Sequence, residues 1–306
     1  MRESFIAPEC CSCLIETAFK FLKTGTRDYK HVLQGMREAL DLLEKEFSED
    51  NYTFLVGNKL ARHVHQFLKE ENPDIFRDIK DKSNEVCLSI FPDLTRKYEE
   101  IQDEWKKFQY CIAAGVAGNV IDVGTAGHDF SLEPEEIFKI INQVQHDGFA
   151  VDDSRVLFEL IKNEKVHHFL VMLDNAGEIV FDKLLLRFLK EHVKEVTCMV
   201  RGGPIANDAT LHDAISAGID EWCDGFLETT IPSLGYTIPD NDAKVVNAVN
   251  SMDVVIGKGQ ANNETLSTYA DEIDVEHVFV LCKVKCTTVS RWKKVKKGDN
   301  LLQKVK

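Results

Sequence analysis

Residues 166–178 read VHHFLVMLDNAGE, and this stretch decides the fold. The apolar run at residues 169–173 stops abruptly at Asp174-Asn175-Ala176-Gly177-Glu178. A helical pattern follows, with Ile179, Val180, Leu184, Leu185 and Phe188 apolar between Asp182, Lys183, Arg187 and Lys190. A short continuous apolar run, a polar turn containing glycine and an amphipathic helix together predict a buried parallel strand feeding a crossover helix. In open α/β sheets, ligands bind outside the carboxyl ends of strands. Asp174 and Asn175 therefore stand where chemistry is common, and simple capping of the following helix accounts for the same pattern.

Working outward, strand-like runs recur at residues 196–200, 254–257 and 278–284, and helix-like runs at 179–192, 209–217, 242–250 and 264–269. That alternation predicts an α/β fold with a mostly parallel sheet and helices on both faces. Residues 226–241 hold Pro232, Gly235 and Pro239 and read as a long irregular loop, a type that is often functional. Upstream, residues 13–22, 31–47, 54–70 and 83–108 carry apolar side chains at helical spacing, with breaks at Asn72-Pro73 and Pro92-Asp93. They predict an all-helical N-terminal bundle or cap of roughly four to six helices. Residues 111–129 contain four glycines and few charges, and suit either a tightly packed helix followed by a loop or a plain linker. A further helix opens near Pro134 and stops at Gly148. The expected division is a helical domain over residues 1–125 and an α/β domain over residues 126–306.

Composition narrows the function. The formal charge of −14 argues against binding a nucleic-acid backbone, which needs a basic face. The one basic cluster, residues 291–306, reads as a solvated end. No apolar stretch approaches the roughly 20 residues of a membrane span, and the first residues lack a signal-peptide core. The odd count of nine cysteines, two of them in strand-like runs (Cys198 and Cys282), is a reduced-thiol pattern. A cytoplasmic protein is expected.

Three more polar junctions follow strands. Arg201-Gly202-Gly203-Pro204 leads to Asn207-Asp208; Gly257-Lys258-Gly259-Gln260 leads to Asn263-Glu264; and Lys283-Val284-Lys285-Cys286-Thr287-Thr288, the weakest signal, closes the series. They place Asp174, Asn175, Asp208 and Lys258 along one edge of one sheet. Two carboxylates and an amide oxygen are hard ligands that suit Mg²⁺ or Mn²⁺, with Ni²⁺ or Co²⁺ as further candidates. A lysine between glycines and helix N-termini suit phosphate oxygens. These loops hold no histidine pair at metal spacing, which disfavours catalytic zinc. The chain has no GxGxxG and no Walker A loop, which argues against a dinucleotide enzyme or P-loop NTPase.

These motifs, together with Gly118-Asn119-Val120-Ile121-Asp122, closely resemble the damage-control phosphatases, metal-dependent enzymes once known as domain of unknown function eighty-nine. Pro8-Glu9-Cys10 and Cys13 resemble the CxxC of that family's short prokaryotic-type branch. The resemblance spans nearly the whole chain. It implies a helical domain packed on a Rossmann-like α/β domain, and hydrolysis of phosphate esters of small metabolites such as sugar phosphates or phosphonucleotide-like compounds, some of them damaged. It places metal ligands on Asp174, Asn175 and Asp208, catalytic roles on Asp174, Asp208 and Lys258, and substrate contacts on Asn119, Asp122, Glu178 and Lys258. The eukaryotic branch spaces its acidic residue after the Asp-Asn pair slightly differently from Glu178.

Two other classes stay open. One is an S-adenosylmethionine-dependent carboxyl methyltransferase, against which stands the lack of a Gly-rich first loop. The other is a non-catalytic sugar-phosphate-binding protein. Cys10 and Cys13 are read either as spectators or as partners of Cys282 or Cys286 in a metal site or redox switch. His167 and His168 belong at the start of the key strand, away from its carboxyl edge, and take no catalytic part. The expected partner is a small phosphorylated metabolite, with no nucleic acid or membrane.

Overall fold

The apolar run that starts at residue 169 forms the buried length of a strand inside a sheet. The structure, a computed structural model, describes residues 6–69, 72–120 and 133–306, without the side chains of Asn119 and Val120. Helices α1 (Pro8–Gly25), α2 (Tyr29–Glu46) and α3 (Thr53–Leu68) come first, then α4 (Arg77–Glu100), α5 (Glu104–Val120) and α6 (Pro134–Asp147). The remainder alternates: β1 (Val151–Asp152), α7 (Ser154–Ile161), β2 (His168–Met172), α8 (Glu178–Lys190), β3 (Glu195–Val200), α9 (Leu211–Ser216), β4 (Gly225–Glu228), α10 (Ala243–Asn250), β5 (Val254–Lys258), α11 (Gly259–Thr268), β6 (His277–Lys283), α12 (Thr287–Lys293) and β7 (Asn300–Lys304).

The seven strands run in the order β1-β7-β6-β5-β2-β3-β4. Neighbours are parallel except at β6/β7, whose pairing is antiparallel. The expected α/β fold with a mostly parallel sheet is therefore present. After the short edge strand β1, the chain lays down β2, moves outward through β3 and β4, and then returns to lay β5 on the other side of β2. The strand order reverses at the β2/β5 boundary, the place where parallel sheets open a ligand crevice at their carboxyl edge.

Side-chain alternation loads both faces of the sheet. Phe169, Val171 and Leu173 join Val196, Cys198, Ile256 and Phe279 in one cluster with α4, α5 and α8. Leu170 and Met172 join Met199, Val255 and Val278 in another with Phe54, Tyr236, Val249 and Leu266. A third core lies within α1–α3 and reaches Ile205 and Leu234 of the α/β half.

Several expectations are corrected. Pro92 lies inside α4 and does not break it. Helix α5, by contrast, continues through Gly115 and Gly118 and packs closely on α8, as the helical reading of residues 111–129 expected for its described part. Helix α8 is not amphipathic in place: Asp182 and Lys183 are buried with the rest of it, because α4 and α5 cover its outer side. The first residues of the expected loop 226–241 belong to β4. The basic segment 291–306 is no solvated end, since its apolar pair Leu301 and Leu302 is buried in β7. Helix α11 starts at Gly259, five residues earlier than its apolar pattern suggests. The expected boundary at residues 125/126 falls outside the described residues.

Candidate metal and phosphate site

Two strand-end loops are sewn together by their backbones. Ala209 N donates to Asp174 O at 2.8 Å, and Ala176 N donates to Asn207 O at 3.0 Å. Asn175 and Asp208 thereby pair as an isolated antiparallel bridge. Residues far apart in sequence reach one place through this link and through the adjacency of β2 and β3. Asp174, Asn175 and Asp208 all line one cavity of about 550 Å³. Its other walls include Cys10, Cys13 and Leu14 of α1, Phe54 of α3, Gln260 and Glu264 of α11, and Lys285, Cys286 and Trp292.

The third strand end approaches as closely as chemistry permits. Gly259 has φ +79°, and a Cβ there would lie 1.8 Å from Asp174 Oδ2. Only glycine allows α11 to begin against that carboxylate. Gly177 N, at the head of α8, donates to Asn84 Oδ1 of α4 at 2.7 Å, which fixes the turn after Asp174.

Within this frame the acids are crowded. Asn175 Nδ2 bridges Asp174 Oδ2 at 3.1 Å and Glu178 Oε2 at 3.2 Å. Arg201, with no exposed surface, donates from Nε to Asp208 Oδ2 at 2.7 Å, and its Nη2 is 3.8 Å from Asp174 Oδ1. Burial pushes the Asp174 carboxyl well above the usual carboxylate range, and Glu178 and Asp208 push it further. Burial also raises Asp208, against the pull of Arg201. Such shifts mark a carboxylate cluster short of positive charge.

Lys258 stands apart from the cavity wall. Its Nζ lies 2.6 Å from Asp182 Oδ1 and 3.1 Å from Glu178 Oε1, and donates to Gly115 O at 3.0 Å. Burial pulls its pKa down, but the two carboxylates outweigh this and hold it raised. Burial raises Asp182 to about 7 despite the opposing pull of Lys258.

Of the residues singled out in sequence, Asp174, Asn175 and Asp208 meet in the cavity, and Glu178 and Lys258 lie behind them in the buried charge cluster. Asn119 falls on α5 but its side chain is not described, and Asp122 lies outside the described residues. Cys10, Cys13 and Cys286 reach the cavity, whereas Cys282 is buried in a cluster with Leu301. His168 opens β2, at the far end from the site.

Three residues escaped the sequence reading. Asp182 follows Glu178 by one helical turn, a spacing that puts two acids on one face of the helix; the shared face was readable in the sequence, its burial was not. Arg201 looked like part of a glycine-rich turn. Lys285, exposed on the cavity rim, belongs to the weakest junction, yet its charge reaches Asp174 and lowers its proton affinity. Among the described residues, one His/Cys/Asp/Glu group has its ligand atoms within 4.8 Å of one another: Asp81, His212 and Asp213. Asp213 there is already held by Arg77, Lys80 and Thr210, so its oxygens are committed.

A doubly covered, mostly parallel sheet, with carboxylates and a glycine-started helix at its reversal point, defines an open α/β class of protein with its ligand crevice at the carboxyl edge. Comparison with known proteins narrows the class: residues 6–301 match the damage-control phosphatase ARMT1-like domain, and the chain belongs to that family. It is 30% identical over 291 residues to damage-control phosphatase PH1575 of Pyrococcus horikoshii, covering 95% of this chain and 94% of that one. It is 29% identical over 294 residues to a damage-control phosphatase of Archaeoglobus fulgidus, covering 96% and 97%. The crystal structure of PH1575, described as a DUF89 family protein, superposes with a TM-score of 0.86 at 29% identity, covering 99% of each chain. Among the described residues no helix is long and apolar enough to cross a membrane.

Proposed function

We propose that this protein is a metal-dependent phosphomonoester hydrolase acting on small phosphorylated metabolites. The observation that carries the reading is the charge of the site. Four buried carboxylates, Asp174, Glu178, Asp182 and Asp208, surround two buried cations, Arg201 and Lys258. With all four ionised, four negative charges against two positive leave a formal −2, which one divalent cation offsets. The donor set fits such an ion: Asp174, Asn175 and Asp208, whose side chains carry hard oxygens, line one cavity. When bound, Mg²⁺ or Mn²⁺ would supply Lewis-acid neutralisation of phosphoryl oxygens.

The chain's own residues supply the rest. Asp174, Asn175 and Asp208 would hold the ion at the carboxyl edge of the sheet. Lys285 supplies a cation at the cavity rim, better placed for a phosphoryl oxygen than Lys258, whose ammonium is taken by Asp182 and Glu178. The first turn of α11 adds its positive helix end beside Asp174. Leu14, Phe54, Leu234, Val289 and Trp292 form an apolar wall that keeps bulk water from the reacting phosphate and accommodates the body of the metabolite.

The test is release of inorganic phosphate from a generic aryl phosphate and a panel of phosphorylated metabolites, with Mn²⁺, Mg²⁺, Ni²⁺ or Co²⁺ and with chelator. Metal-dependent release that is lost in Asp174→Ala, with the far-ultraviolet spectrum intact, supports the reading. Binding of phosphate esters with no release of phosphate in any metal would refute it.

A further inference from the structure

Arg201 is the largest fully buried side chain among the described residues. Burying a guanidinium is expensive unless its donors are satisfied. Here Nε is satisfied by Asp208, yet neither Nη1 nor Nη2 has a hydrogen-bond partner. Unpartnered buried donors are rare, and one reason they persist is a functional one. The backbone holds the residue firmly in place. Arg201 N donates to Ala209 O at 2.9 Å, and the next residue, Gly202, has no room for a Cβ, which would fall 1.7 Å from Thr229 O. Arg201 is absent from the cavity wall that Asp174 and Asp208 share, so it stands behind both acids. Asp208 lines the cavity, and the hydrogen bond from Arg201 occupies only its Oδ2.

We infer that Arg201 is a positioning residue: its guanidinium, hydrogen-bonded to Asp208 and facing Asp174 Oδ1 across 3.8 Å, holds the two carboxylates from behind and sets which oxygens they present to a divalent cation. The inference rests on the metal-site reading above. Two buried like charges at one site repel, and a planar fork between them lowers that repulsion while fixing their orientation. A lysine keeps the charge but cannot span both carboxylates in a fixed plane. Groups that orient metal ligands typically change metal affinity by about 10- to 100-fold when altered.

The experiment is calorimetric titration of the full chain with Mn²⁺ alone, using wild type, Arg201→Lys and Arg201→Met. Failure of the wild type to bind Mn²⁺ would remove the metal site itself. If the wild type binds, Arg201→Lys is expected to bind about tenfold more weakly, and Arg201→Met more weakly still. At saturating Mn²⁺, KM for an aryl phosphate should hardly move, since Arg201 does not line the cavity. A merely structural role predicts a lower melting temperature with the Mn²⁺ affinity of folded Arg201→Lys unchanged, and that result overturns the inference. If neither variant folds, wild type with ¹⁵N-labelled arginine decides. The most exchange-protected Nε resonance should shift on saturation with Mg²⁺, and a resonance that stays put overturns the inference.

Discussion

The two lysines near the site should fail in opposite ways. Lys258 has almost no exposed surface and faces Asp182 and Glu178, whose side chains are equally buried. Lys258→Met strands both carboxylates without their cation. Breaking a buried ion pair from one side costs about 3–5 kcal/mol. At roughly 2–4 °C per kcal/mol in a chain of this size class, the melting temperature should fall by about 10 °C. Lys285→Met removes an exposed side chain, so stability should stay within about 0.5 kcal/mol of wild type. It should instead weaken the hold on a phosphoryl oxygen by about 2 kcal/mol, the scale of one charge-assisted hydrogen bond. That is about a 30-fold fall in kcat/KM, with a matching rise in the inhibition constant of inorganic phosphate. Urea unfolding and steady-state kinetics on the two variants read both quantities. A cycle adding Asp182→Asn should show coupling with Lys258 of about 2 kcal/mol and none with Lys285. A Lys258→Met protein as stable as wild type but blind to phosphate would refute the reasoning, because it would put that ammonium on the ligand.

Other outcomes follow from the same geometry. Asp174→Ala should lower metal-dependent turnover by about 100-fold or more while leaving the metal-free melting temperature equal or higher, since it removes one of several mutually repelling buried acids. Gly259→Ala should be costly twice over. The positive φ adds about 1–3 kcal/mol of strain, and the new Cβ displaces Asp174, so calorimetry should show weakened Mn²⁺ binding. Burial raises Glu264 to about 7. A carboxyl whose folded pKa exceeds its unfolded value keeps its proton better when folded, so its stabilising contribution is present at acid pH and is lost as pH rises through about 7. Glu264→Gln should therefore flatten the fall in melting temperature between about pH 5 and pH 8; an unchanged slope would show that this carboxyl ionises freely in the folded protein.

Much of the fold was legible because periodicity is a local signal. Residues 169–173 are apolar without interruption, and 196–200 apart from Thr197, because both faces of a central strand are covered, and that shows in the sequence before any partner is known. Polar residues at strand ends follow from the same rule, so Asp174, Asn175 and Asp208 stood out. Weak local signals failed for equally physical reasons. Strand β7 is short and lies in a basic segment, and its burial depends on β6 and β1 beside it. Asp182 looked solvent-facing because nothing in the α8 sequence reports that α4 and α5 cover it.

The sequence by itself determined the central strands, most of the helices, and which polar residues end those strands, since each depends on neighbours a few positions away. Tertiary structure alone decided who meets whom. It laid β5 beside β2, tied Lys258 to Asp182 and Glu178, set Arg201 between Asp174 and Asp208, and brought Lys285 to the same cavity. The reason is electrostatic: a charge taken from water must find its partner within a few ångströms of space, whatever the distance along the chain.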